Sequence, residues 1–60
     1  MEREEDYTIY KVETEYKSGR TRSEYIAAKN EEDMWKIYDK RHKRRKNLID
    51  SSAIIDAWMQ

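Results

Sequence analysis

The residues best equipped for chemistry lie in one short stretch. Glu31, Glu32 and Asp33 open it, and Arg41, His42, Lys43, Arg44, Arg45 and Lys46 close it. Lysine and arginine attract phosphates without regard to base sequence, so one chemistry this run offers is contact with a nucleic acid. The same order also suits an isolated helix, whose start carries partial positive charge and whose end carries partial negative charge. On a continuous helix, Lys36, Lys40, Lys43 and Arg44 share a solvent face opposite Met34 and Tyr38. Arg45 and Lys46 extend that cationic set toward a nucleic acid or an acidic partner. Glu32 with Lys36, and Asp39 with Lys43, stand four apart in the favourable order, each pair adding about 0.2–0.5 kcal/mol. Dipole and pairing account for part of the pattern only, because adjoining cations repel.

Other reactive types are sparse. His42 is the only histidine and is expected as a solvated helix residue. A lone imidazole without a carboxylate cluster makes no metal site. Three consecutive acids, Glu31 to Asp33, diverge around a helix and chelate poorly. Ser51 and Ser52 suit helix capping, and no base is placed beside either. Gly19 is the only glycine, so there is no glycine-rich phosphate loop. No acid, base and nucleophile can be assembled, and the reading is non-enzymatic, without cofactor or metal. Sheet-borne tyrosines can stack on single-stranded bases. The alternation of the strands, however, places Tyr10, Tyr16 and Tyr25 on the inner face and leaves only Tyr7 opposite.

The elements that position these residues must come from 60 residues, one domain at most. A chain of this size buries only about 60% of its unfolded surface and is correspondingly marginal. There is no cysteine to staple it, and small unstapled domains often lean on oligomerisation. Seven aromatics, Tyr7, Tyr10, Tyr16, Tyr25, Trp35, Tyr38 and Trp58, supply much of the available apolar area and argue against disorder. Formal net charge is zero, so electrostatic attraction has to be local. Residues 1–16 balance to −4, residues 17–29 to +3, residues 30–40 to −2, residues 41–50 to +4 and residues 51–60 to −1. No apolar run approaches the ~20 residues of a membrane span, and the acidic start is unlike a signal peptide. With no cysteine, these features point to a reducing, cytoplasmic setting.

Residues 1–6 read as a flexible acidic tail and residues 7–60 as a single domain. Tyr10, Val12, Thr14 and Tyr16 alternate with Lys11, Glu13 and Glu15, the period of a strand. Lys17-Ser18-Gly19-Arg20 is the turn, and Thr21 to Ala28 the return strand. A two-residue Ser18-Gly19 loop sets Val12 opposite Tyr25, Tyr10 opposite Ala27 and Glu15 opposite Arg22. It also sets Glu13 against Glu24, an unfavourable pair. Asn30 is the expected N-cap of a helix running to about residue 46. A second short helix, capped by Asp50 or Ser51, carries Ile54, Ile55, Trp58 and Met59. Those four cannot all face inward, so they form the expected interface with another protein or a second copy. The expected fold is α+β, a two-stranded antiparallel hairpin followed by two helices (ββαα), as a homodimer. The exposed hairpin edges offer a second route to dimerisation.

Overall fold

The computed structural model describes residues 7–59. The chain runs β1 (Thr8–Tyr16), β2 (Thr21–Ala28), α1 (Glu31–Arg41), a 3-10 segment (Lys43–Leu48) and β3 (Ile49–Met59). The strands form one antiparallel sheet in the order β2-β1-β3. The expected ββαα order is therefore corrected to ββαβ: the C-terminal segment is a third strand, not a second helix. The tail expected at residues 1–6 lies outside the described residues.

The hairpin forms where the alternation places it, but one residue out of the expected register. Gly19 has φ +96°, a backbone region that side chains disfavour. Gly19 N donates to Tyr16 O at 2.8 Å and Tyr16 N to Arg20 O at 2.8 Å. The loop is thus three residues, Lys17 to Gly19, with the glycine as its left-handed last residue. Tyr10 pairs with Ile26, Val12 with Glu24 and Thr14 with Arg22. A slip of one residue turns a whole strand over. Ile26 and Ala28 are buried in place of Tyr25 and Ala27, and Glu13 meets Ser23 instead of Glu24.

Strand β3 explains why its sequence imitated a helix. Its register against β1 shifts between Lys11 and Val12 and again between Glu15 and Tyr16. Lys11 pairs with Asp56 and Val12 with Ile54, which leaves Ile55 as the extra residue of a bulge. Asp50 is skipped in the same way between Ser51 and Ile49. Bulges break the period of two, so Ile54, Ile55, Trp58 and Met59 fall at spacings that mimic a helical stripe. Isoleucine, serine, aspartate and tryptophan are middling or poor helix formers, and isoleucine and tryptophan favour strands. The open edge of β1 supplies the partner that decides the outcome.

Asn30 caps α1 as expected, its Oδ1 accepting from Asp33 N at 2.8 Å. The helix ends at Arg41, short of the expected residue 46, and His42 closes it with N donating to Tyr38 O at 3.0 Å. Continuing as α-helix would set Arg41 one turn from Arg44 and Arg45, like charges on neighbouring positions. The chain instead tightens to three residues per turn, with a non-helical kink at Arg45. Helix α1 lies against β2. Met34 and Tyr38 press onto Tyr10, Val12, Ile26 and Ala28, with Trp35, Ile37, Ile49 and Ile54 packed around them. Tyr38 Oη and Thr14 Oγ1 share a buried hydrogen bond, which satisfies both hydroxyls inside the core.

Candidate interaction surfaces

The sheet has one covered face and one bare face. Alternation along β1 sends Tyr10, Val12 and Thr14 under α1, and Ile9, Lys11, Glu13 and Glu15 the other way. The register brings Tyr25 and Ala27 of β2, and Trp58, Asp56 and Ala53 of β3, to the same bare side. The rings of Tyr25 and Trp58 meet over the central strand at 5.9 Å, edge to face. Tyr25 remains 56% exposed and Trp58 44%. Lys11 Nζ stands 5.8 Å from the Tyr25 ring centre, within cation–π range. Of the interface residues expected from the sequence, only Trp58 belongs to this cluster. Ile54 is half-buried beside the core, Ile55 projects from the bulge, and Met59 ends the strand beside the Thr8 hydroxyl. Tyr25 was missed because the expected register buried it.

The expected basic set is divided in two. Lys43 and Lys46 turn toward α1, where with Lys36, Lys40, Asp39 and Ile37 they line a cleft of about 440 Å³. Lys46 Nζ reaches Asp39 Oδ1 at 3.1 Å, so the expected partner of Asp39, Lys43, is replaced by Lys46. Arg45 and Leu48 turn the opposite way. They line a second cavity of about 300 Å³ with Tyr16, Lys17, Ser18, Arg20 and Arg22. A hydrogen bond from Lys17 N to Leu48 O, 2.9 Å, ties the hairpin turn to the 3-10 segment and holds that cavity together. Arg44 is exposed and lines neither. Lys17, Arg20 and Arg22 were missed as site residues. Their only sequence signal was the positive balance of residues 17–29.

His42 is not the solvated helix residue expected. Its ring is tilted against Tyr38 at 4.3 Å, and its Nε2 lies 2.6 Å from Glu24 Oε2. Arg41 Nη1 donates to Glu24 Oε1 at 3.1 Å and to the Tyr25 carbonyl at 3.4 Å. Burial by itself pushes the Glu24 carboxyl up. The hydrogen bonds and charges of His42 and Arg41 outweigh that and leave it below its ordinary value. This carboxylate clamps the C-terminal end of α1 to β2. Beside it Thr14, Tyr16, Arg22 and Ser23 enclose a cavity of only about 150 Å³. Among the described residues no three His, Cys, Asp or Glu side chains are grouped to hold a metal ion, and no helix is long and apolar enough to cross a membrane. Ser51 and Ser52, expected as caps, stand in β3, with Ser51 Oγ 3.5 Å from Glu15. Set against protein-family models, curated proteins and solved structures, the chain matches none of them.

Proposed function

We propose that this chain is a small non-enzymatic interaction module that self-associates through the bare face of its sheet. The observation that carries the reading is the Tyr25–Trp58 pair, large apolar rings held in fixed geometry on a face that no other described element covers. Aromatic side chains in such positions are enriched at contact surfaces and lose little entropy on binding. A second copy is the occupant that fits. The register sets Lys11 opposite Asp56, with Glu13 and Glu15 further along the same face. A two-fold arrangement stacks one aromatic cluster on the other and offers each Lys11 to the acids of the other copy. Strand spacing and rise give the face a footprint of roughly 400 Å², which suits a weak, concentration-dependent pairing and not an obligate one.

Sedimentation tests this reading over a range from about 1 μM to about 1 mM. The apparent mass is expected to rise from 7.4 kDa toward twice that value. The Trp58→Ala variant is expected to need at least about tenfold more protein for the same rise. A wild-type chain that stays monomeric throughout, or a dimer indifferent to Trp58, overturns it.

A second reading is favoured by a separate observation, the gathering of cations on the other side of the molecule. Lys36, Lys40, Lys43 and Lys46 surround one cleft and Lys17, Arg20, Arg22 and Arg45 the other. In this reading the chain is a nucleic-acid-binding accessory protein. Salt-dependent binding of an oligonucleotide tests it, as set out below.

A further inference from the structure

The α1 cleft was the expected centre of any phosphate contact, but the cavity at the hairpin end is the better built of the two. The α1 cleft holds its own counter-charge, because Asp39 lines it and pairs with Lys46. The hairpin cavity has four cations, Lys17, Arg20, Arg22 and Arg45, and no acid among its lining residues. Among the described residues none of these four makes an ion pair. They come from three separate elements: the turn, β2 and the 3-10 segment. The Lys17 N to Leu48 O hydrogen bond draws those elements together at a cost in charge repulsion that nothing within this cavity offsets.

We infer that the hairpin cavity binds a backbone phosphate of a nucleic acid, with Arg20, Arg22 and Arg45 as its ligands and Lys17 at the rim. The inference rests on the second reading above and moves its centre from the helix to the hairpin. Three of the four cations are arginines, whose planar forks bind phosphate by paired hydrogen bonds. Tyr16 and Leu48 add an apolar wall for a sugar or a base. The site does not stand alone. Lys43 and Lys46, from the same 3-10 segment as Arg45, line the α1 cleft, so one short segment supplies cations to both cavities. An anion with charges repeated along its length spans both cavities, whereas a single phosphate occupies one. A nucleic-acid strand has that repeat and is the partner the arrangement fits.

The test is fluorescence anisotropy with a labelled single-stranded oligonucleotide and with its duplex, at about 50 and about 200 mM salt. Three proteins are compared: the wild-type chain, Arg22→Gln/Arg45→Gln, and Lys36→Gln/Lys40→Gln. Circular dichroism and sedimentation establish that both variants fold and self-associate as the wild type does. With about four phosphates neutralised, wild-type affinity is expected to fall roughly 100-fold between the two salt concentrations. The arginine variant is expected to bind at least about tenfold more weakly at low salt, with a slope reduced by about two. The lysine variant is expected to lose less than the arginine variant. Binding by the wild type that survives unchanged in the arginine variant but fails in the lysine variant overturns the hairpin site and leaves the second reading standing. Absence of binding at low salt overturns both. Inorganic phosphate displacing the oligonucleotide at equal phosphate concentration overturns the polymer in favour of a free anion. Polyglutamate displacing it equally well overturns it in favour of an acidic protein.

Discussion

The two faces of this sheet are made by the same three strands and do opposite work. Under α1, Val12 and Met34 are fully buried, and Ile26 and Ala28 nearly so. On the other side Tyr25 and Trp58 present more of their surface to solvent than any core residue, although they touch each other. The difference is one of layers. A single eleven-residue helix can cover one side of a three-stranded sheet, and the described residues form only one such helix. Burial is therefore concentrated on one face, and the exposed aromatic surface proposed for association lies on the other. The separation means that the two properties can be broken independently.

The strongest way to break the comparison is at Met34. Met34→Ala removes a fully buried side chain from a core that numbers six hydrophobic residues among those described. It is expected to cost about 2–5 kcal/mol, enough to leave much of so small a domain unfolded, as read by chemical denaturation. Trp58→Ala on the bare face is expected to change folding stability by about 1 kcal/mol or less while weakening self-association. Equal destabilisation by the two substitutions means that the faces are not distinct.

A smaller effect is expected at the turn that decides which face of β2 is buried. An added Cβ on Gly19 meets no atom within 4 Å, so the cost of Gly19→Ala is backbone strain at φ +96° and not a clash. The melting temperature is expected to drop by an amount matching about 1–2 kcal/mol. Gly19→Asn is expected to recover part of it, because asparagine tolerates positive φ better than alanine. If Gly19→Ala melts like the wild type, the turn does not hold the register.

The smallest effect sharpens the comparison at the edge of the covered face, where Glu24 joins β2 to the end of α1. Its folded-state carboxyl titrates below the ordinary 4.5. The clamp therefore stabilises the fold at neutral pH and is lost as the pH falls through that lowered value. Glu24→Gln is expected to cost about 1 kcal/mol at neutral pH, seen as a lower thermal midpoint. The gap between variant and wild type is expected to close as the pH falls below 4.5 through the lowered value. A gap of constant size across that range assigns the contribution of Glu24 to packing and not to its charge.

Much of the covered face was legible along the chain. The alternation from Tyr10 to Tyr16, the N-cap at Asn30 and the pairing of Met34 with Tyr38 are local signals, each carried within a turn or a strand. The bare face was not legible, because its membership depends on register, and register depended on whether the loop held two residues or three. The third strand was hidden by its own bulges, which gave Ile54 and Ile55 a helical spacing. The hairpin cavity was hidden for another reason: Arg22 and Arg45 lie far apart in sequence and line one cavity only in the folded chain, where Lys17 bonds to Leu48.

Composition and period thus determined that this is an α+β chain with a thin core, a hairpin and the helix capped by Asn30, since those follow from short-range sterics and hydrogen bonding, and they wrongly gave a second capped helix where β3 stands. Only the tertiary structure decided that the last segment pairs with β1, that Tyr25 faces outward beside Trp58, and that the cations divide between two cavities. Those outcomes rest on contacts between residues distant in sequence. Their balance is set by which strand edge and which helix face are left to be filled once the local elements have formed.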